Sequence, residues 1–163
     1  YAPFMRYFNY LSGAIGFLEP WTRNWIVDYK LEGEVAVLTF DNGKANAVSH
    51  ALIDSLYEGF DRAEKEAKAI VMIGRPGIFS GGFDLKEIQQ GPEAAAKLVA
   101  RGAHLFHRMF ALPMPLVAGC TGHAIATGGF LLLACDSRIG AEGDFRIGLN
   151  ETAIGMTLPV FGL

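Results

Sequence analysis

Phe79-Ser80-Gly81-Gly82-Phe83-Asp84-Leu85 and Gly122-His123-Ala124-Ile125-Ala126-Thr127-Gly128-Gly129-Phe130 are the two stretches whose reading decides the fold. Both are glycine-rich turns, and the second runs on into the apolar Leu131-Leu132-Leu133-Ala134-Cys135-Asp136. Glycine beside a helix start leaves backbone N–H groups uncovered, so a ligand oxygen can approach them closely. Downstream, Gly148-Leu149-Asn150-Glu151-Thr152 carries a lone acid, with apolar Leu149, Ile154 and Met156 around it. Two such turns can aim two N–H groups at one developing oxyanion while a carboxylate moves a proton nearby. The pattern suits enolate chemistry on a carbonyl compound.

Working outward, the rest of the chain alternates strands with helices. Ile26–Leu31 and Glu34–Phe40 read as an opening hairpin joined at Glu32-Gly33. The second of these is apolar on both faces, as in a strand inside a covered sheet. Asp41-Asn42-Gly43 breaks it. From Val48 to Ala67, Leu52, Ile53, Leu56, Phe60 and Ala63 recur at helical spacing. Ala69–Ile73 is a short buried strand, and Gly74-Arg75-Pro76-Gly77 a loop into the first turn. Pro92–Leu112 is a second amphipathic helix with Leu98, Leu105, Phe106 and Met109 on its stripe, ended by Pro113 and Pro115. Leu116–Cys120 is a further strand, Gly129–Ala134 a short apolar helix, and Ser137–Ala141 and Phe145–Ile147 two more strands. No linker, low-complexity run or internal sequence repeat is visible. Such alternation indicates an α/β domain.

Composition narrows the class. At 163 residues and 51% hydrophobic, the chain can bury a core of one domain. Fourteen basic against seventeen acidic residues give a net charge of −3, and no basic run occurs, which argues against nucleic acid as a partner. Cys120 and Cys135 lie in apolar segments without metal-binding spacing, and read as reduced core thiols of an intracellular protein, with a disulfide as the alternative. Residues 1–25 hold Phe4, Tyr7, Phe8, Tyr10, Phe17, Trp21 and Trp25. They read as an aromatic-rich extension or a translated upstream stretch rather than a signal peptide. The run Leu11–Leu18 is too short for a membrane span.

The two turns, the opening Asp41-Asn42-Gly43-Lys44-Ala45-Asn46-Ala47 and the closing Gly148-Leu149-Asn150-Glu151-Thr152 stand in the order found in the crotonase, or enoyl-CoA hydratase/isomerase, superfamily. The chain resembles that family from about Ile26 to Leu163. The resemblance implies a crotonase-like (ClpP/crotonase) α/β spiral of ββα units for residues 26–163, without the helical C-terminal region that closes the acyl pocket and builds trimer contacts in the family. It also implies an acyl-CoA thioester as ligand, with CoA part of the substrate and no separately bound cofactor. A homo-oligomer, trimeric or hexameric, is implied too. A bacterial-type cytoplasmic setting is expected, with mitochondrion and peroxisome left open.

Residue by residue, the resemblance assigns one oxyanion-hole donor to the backbone N–H of Phe83 and the other to that of Thr127, with Gly128 as the alternative. Thr127 departs from the glycine common there, which matters little where only backbone is used. Ser80, Gly81, Gly82, Asp84 and Leu85 would lie against CoA, as would Lys44 and Ala45 at its adenine and 3′-phosphate end. Taken alone, turn one is a turn after a strand with Asp84 as N-cap of Leu85–Gln89. Hydratases of the family use two glutamates, one in the helix after turn two and one in the later loop. Here Phe130 stands at the first position and Glu151 at the second. Gly-Leu-Asn-Glu-Thr resembles the family's enoyl-CoA isomerases, which work with one glutamate.

Asp136 reads as structural, bonding backbone or Arg138, and His123 as a packed or hydrogen-bonded ring. His104 and His107 share a helix face with no third metal ligand in view. No nucleotide-binding glycine motif occurs. The reading is therefore isomerisation of 3-enoyl-CoA to 2-enoyl-CoA in fatty-acid metabolism, with Glu151 as the catalytic residue. Its rivals are hydration of 2-enoyl-CoA and a non-catalytic acyl-CoA-binding or inactive partial chain. A chain ending at Leu163 should expose Phe130–Leu133 and Pro159–Leu163.

Overall fold

The computed structural model describes residues 26–154 and 157–160. The aromatic-rich stretch 1–25, Met156 and residues 161–163 lie outside them.

Strands β1 (Val27–Glu32) and β2 (Val35–Phe40) form the opening antiparallel hairpin. The pair Glu32↔Val35 closes it over Gly33-Glu34, one residue later than the sequence suggests, because Gly33 takes the turn's positive φ of 62°. Helix α1 (His50–Glu66) follows, and all five residues of its expected stripe are buried. It starts at His50 rather than Val48 because Ser49 is extended and its hydroxyl accepts from the Leu52 N–H at 3.1 Å. Gly59 brings α1 onto β2, where an added Cβ would lie 2.9 Å from Leu38 Cδ2.

Strand β3 (Ala69–Ile73) then begins a repeating course. It is followed by β4 (Gly77–Ser80), the one-turn helix α2 (Leu85–Ile88) and α3 (Pro92–Phe110). Next come β5 (Leu116–Cys120), β6 (Gly122–Ile125) and α4 (Thr127–Leu133). Finally β7 (Ser137–Gly140) and β8 (Ile147–Gly148) lead into a 3₁₀ turn at Glu151–Ile154. Odd strands from β3 onward extend a five-stranded sheet, ordered β1-β2-β3-β5-β7 and parallel after the first pair. Even strands β4-β6-β8 make a separate parallel sheet. The ββα unit thus repeats in space without any repeat in the sequence.

Two expectations need correction here. The entry to the first glycine turn, from the last loop residue Gly77 to Ser80, and the second glycine turn each contribute a short strand, β4 and β6. Four residues are too few for a period to stand out in the sequence, and these strands exist because their backbones meet. A Cβ on Gly122 would collide with the Gly77 carbonyl group. Second, Phe130, Leu131 and Leu132 are covered by the chain itself, leaving only Leu133 of the four exposed. Val160 is exposed as expected.

The main core lies where α1 and α3 cover the large sheet, with Leu38, Phe40, Leu52, Leu56, Phe60, Ile70, Met72, Leu98 and Leu105 all excluded from solvent. This places the C-terminal ends of the parallel strands, and the turns after them, along one rim.

Candidate active site

Turn one is set by a short parallel pairing of Val48 with Phe83. The Val48 N–H donates to Gly82 O at 2.8 Å, and the Asp84 N–H donates to Val48 O at 3.1 Å. In a parallel pair the residue between those partners turns its own N–H and C=O to the opposite side. The Phe83 N–H therefore faces away from Val48. Its ring is seated on α3 at Gly102, where an added Cβ would lie 2.5 Å from Phe83 Cζ. Asp84 caps α2, accepting from the Lys86 N–H at 2.8 Å, as its sequence position suggests.

Turn two lies directly against it. Ala126 holds a positive φ of 51°, and its carbonyl accepts from the N–H groups of Gly129 at 2.8 Å and Phe130 at 3.3 Å. Thr127 and Gly128 thus precede the first bonds of α4, and their N–H groups belong to the open end of the helix. Gly128 lies on the Ser80 carbonyl, where any Cβ would clash. The helix opens at Thr127 rather than Gly129 because Ala126, not a side-chain cap, accepts the first bonds.

Glu151 arrives on a loop fastened to the same turn. The Ala126 N–H donates to Gly148 O at 3.0 Å, and Leu149 Cδ2 lies 3.0 Å from a Cβ built on Gly129. Glu151 is only 6% exposed, and its Oε2 is buried with no hydrogen-bond partner among the described residues. Leu149 packs against the core, whereas Met156 lies outside the described residues. Phe130 is buried in α4, its ring 5.9 Å from that of Phe106.

A third element, the loop 41–47, is tied to turn one. Asn46 is its keystone, 1% exposed with φ of 48°. Its amide nitrogen donates to Phe40 O at 3.0 Å and Ile78 O at 3.4 Å, and its side-chain oxygen accepts from the Asn42 N–H at 3.1 Å. The Ser80 hydroxyl donates to Asn46 O at 2.8 Å and accepts from the Gly82 N–H at 3.3 Å. Ser80 is thus a fully buried brace of the turn, its hydroxyl turned into protein. Sequence reading gave Asn46 no role; the signal was an Asn after Asn42-Gly43, a residue type that tolerates left-handed backbone.

Of the other residues expected at a ligand, Lys44 and Ala45 are exposed, and the Ala45 carbonyl accepts from the Gly81 N–H at 2.8 Å. Leu85 is exposed and Gly81 borders a groove of about 510 Å³, lined also by Ile78, His123, Ile125, Asp144 and Arg146. The structure therefore brings turn one, turn two and the Glu151 loop together, with Lys44 and Ala45 on the adjoining loop.

Residues set aside in the sequence have structural partners. Asp136 Oδ2 accepts from the Leu116 N–H at 2.8 Å, and Arg138 donates to the carbonyls of Cys135 and Leu132 at the end of α4. His123 Nδ1 accepts from the Arg146 N–H at 2.9 Å, which leaves the ring proton on Nε2, and the ring meets Phe145 edge-on. His104 and His107 are exposed, and no group of three metal-ligating side chains occurs among the described residues. Both cysteines are free and buried; burial pushes the Cys135 thiol up to about 12 and raises that of Cys120. No helix among the described residues is long and apolar enough to cross a membrane.

Known proteins share this fold. A sequence profile of the enoyl-CoA hydratase/isomerase family matches residues 30–163. A probable enoyl-CoA hydratase of Bacillus subtilis is 37% identical over 131 residues, covering 78% of this chain and 50% of the relative. The chain thus spans about half the length of that relative. The crystal structure of an enoyl-CoA hydratase/isomerase family protein from Pseudomonas syringae superposes with a TM-score of 0.82 at 48% identity, over 84% of this chain and 60% of the other. Human mitochondrial delta3-delta2-enoyl-CoA isomerase superposes with a TM-score of 0.77 at 30% identity, over 82% and 55% of the two chains. With its ββα spiral and the profile match running from β1 to Leu163, the chain belongs to the enoyl-CoA hydratase/isomerase family and has the crotonase fold.

Proposed function

We propose that the protein isomerises 3-enoyl-CoA to 2-enoyl-CoA, with Glu151 as the only acid–base group. The observation that carries this reading is a pairing of opposites around turn two. Glu151 offers a buried carboxylate oxygen with no hydrogen-bond partner among the described residues, while Phe130 occupies the helix position where a second acid would be needed for hydration. The Glu151 carboxylate takes the proton from C2 of the thioester, and the C2–H electrons form an enolate conjugated with the C3–C4 double bond. The N–H groups of Phe83 and Thr127, or Gly128 in place of Thr127, hold the enolate oxygen. Glu151 then returns the proton at C4, leaving the double bond between C2 and C3. A preorganised donor of this kind is worth about 3–4 kcal/mol of barrier.

CoA enters as part of the substrate, its thioester beside turn one and its adenine end toward Lys44 and Ala45. A homo-oligomer, trimeric or hexameric, is the assembly proposed. The test is incubation of the full-length protein with 3-enoyl-CoA and with 2-enoyl-CoA, with products identified by mass and retention, and repetition with Glu151→Gln. Isomer alone, abolished by the substitution, supports the proposal.

The name of the Bacillus subtilis relative favours hydration instead. That reaction needs one group to activate water and one to deliver a proton, so an acid from elsewhere, or water held by Asn150 or the backbone, would have to replace the group missing at Phe130. A product heavier by one water overturns the isomerase reading, and an inert protein in both arms points to acyl-CoA binding without turnover.

A further inference from the structure

The geometry points to Glu87 as a positioning residue: its carboxylate clips α2 to the start of α1 and so fixes the direction of the Phe83 N–H. Helix α1 is 17 residues long but carries no acid in its own first turn. Its positive end favours an anion, and its leading N–H groups need acceptors. Ser49 supplies one acceptor, for Leu52. The other comes from a different helix, since the His50 N–H lies 3.2 and 3.3 Å from the two Glu87 carboxylate oxygens.

The surroundings reinforce this clip. His50 Nε2 lies 3.8 Å from Glu87 Oε2, and His50 Nδ1 accepts from Arg101 Nη1 at 3.1 Å. Arg101, on α3, is also paired with Asp54 of α1. Glu87, His50 and Arg101 are each about a quarter to a third exposed, so water screens the cluster only in part. By contrast α2 is thinly packed: none of its four residues is buried, Leu85 is 66% exposed, and Ile88 alone of the four packs, half-buried, against the core. The segment is therefore held at two places against the same stretch of chain. Val48 grips Gly82 and Asp84, and His50 grips Glu87. Phe83 lies within that span. Without the second grip, only the half-buried Ile88 restrains α2, and its motion pulls on the Asp84–Val48 bond that sets the direction of the Phe83 N–H.

The catalytic consequence rests on the proposed isomerase reading; the clip itself does not, and the experiment separates the two. Glu87→Ala and Glu87→Gln would be made in the full-length protein, the second keeping a side-chain oxygen for the His50 N–H. Backbone amide exchange is measured alongside steady-state kinetics with 3-enoyl-CoA. In Glu87→Ala the amides of Val48 and Asp84 should exchange about tenfold faster while those of α4 keep wild-type protection, as for a local opening. The same variant should lose about tenfold in kcat with KM changed less than about twofold, because the donor acts in the transition state. Glu87→Gln should restore both to within about threefold of wild type, since the amide oxygen still accepts the bond. Wild-type exchange in Glu87→Ala overturns the inference. So does acceleration that spreads equally through α4, or a Glu87→Gln variant as impaired as Glu87→Ala. If the wild type moves no double bond, the isomerase reading has failed, and the exchange arm alone decides the clip.

Discussion

Gly82 and Thr127 meet backbone to backbone: a Cβ on Gly82 would lie 3.5 Å from the Thr127 nitrogen and 3.2 Å from Ile125 O. The two turns that carry the proposed donors are therefore one packed unit. Gly82 also holds a φ of 99°, which side chains rarely adopt. Gly82→Ala should cost about 1–3 kcal/mol of stability from strain and crowding together. It should lower kcat about a hundredfold, the scale of one lost oxyanion donor. Thermal melting and steady-state kinetics on the same preparation check both halves.

Glu151 tests the chemistry rather than the frame. Glu151→Gln keeps the shape of the side chain but removes the proposed base, and should reduce the proposed isomerisation by about 10²–10⁴-fold. Because Oε2 is buried without a partner among the described residues, neutralising it should leave the melting temperature unchanged or raise it. A variant that is both inactive and markedly less stable would mean Glu151 braces the loop instead.

Gly102 provides the seat for the Phe83 ring. Gly102→Ala places a methyl 2.5 Å from Phe83 Cζ, at the buried middle of α3. Overpacking there should cost about 1–3 kcal/mol. The ring must move, and with it the N–H of the same residue, so kcat should fall while KM changes little. Equal losses in kcat and 1/KM would place the ring in substrate binding instead.

Asn46 holds the loop 41–47 onto β2, β4 and turn one at once. Asn46→Ala leaves the buried Phe40 carbonyl without this donor and should cost about 2–3 kcal/mol. Since Lys44 and Ala45 ride on the same loop, KM for acyl-CoA should rise more than kcat falls. Comparison of CoA with dephospho-CoA thioesters checks the Lys44 end directly: the variant should discriminate between them less than wild type.

Cys135 gives a pH signature. Burial raises its thiol from 9.0 to about 12 in the folded protein, so between those values the unfolded chain releases a proton that the folded chain keeps. The unfolded state binds fewer protons in that window, and stability falls as pH rises. The contribution is complete below pH 9.0 and is lost on the way to about pH 12. Cys135→Ala should flatten this alkaline limb in denaturant titrations. Alkylation of native protein at Cys135 should also be far slower than in denaturant, because the reactive thiolate is suppressed.

Some of this architecture was legible in the order of residues because its causes are local. Leu52, Ile53, Leu56, Phe60 and Ala63 recur at 3.6-residue spacing, and that stripe is the buried face of α1. Ala69–Ile73 and Leu116–Cys120 are short apolar runs between breakers, and both are strands of the large sheet with those bounds. Asp84 before Leu85 marks a helix start by its chemistry alone.

What the sequence by itself determined, then, is the alternation of elements, the buried stripes, the glycine turns and the lone acid after them. Only the tertiary structure decided that β4, β6 and β8 form a second sheet, because glycine-rich strands of two to four residues have no period and exist through contact with distant backbone. It also decided that Ser80 and Asn46 brace one another, and that Glu87 of α2 serves the N-terminus of α1. Those relations join residues 34 and 37 positions apart, and their hydrogen bonds depend on how the spiral closes. Periodicity reports which face of an element is buried; it carries no information about which distant backbone group a buried polar side chain will reach.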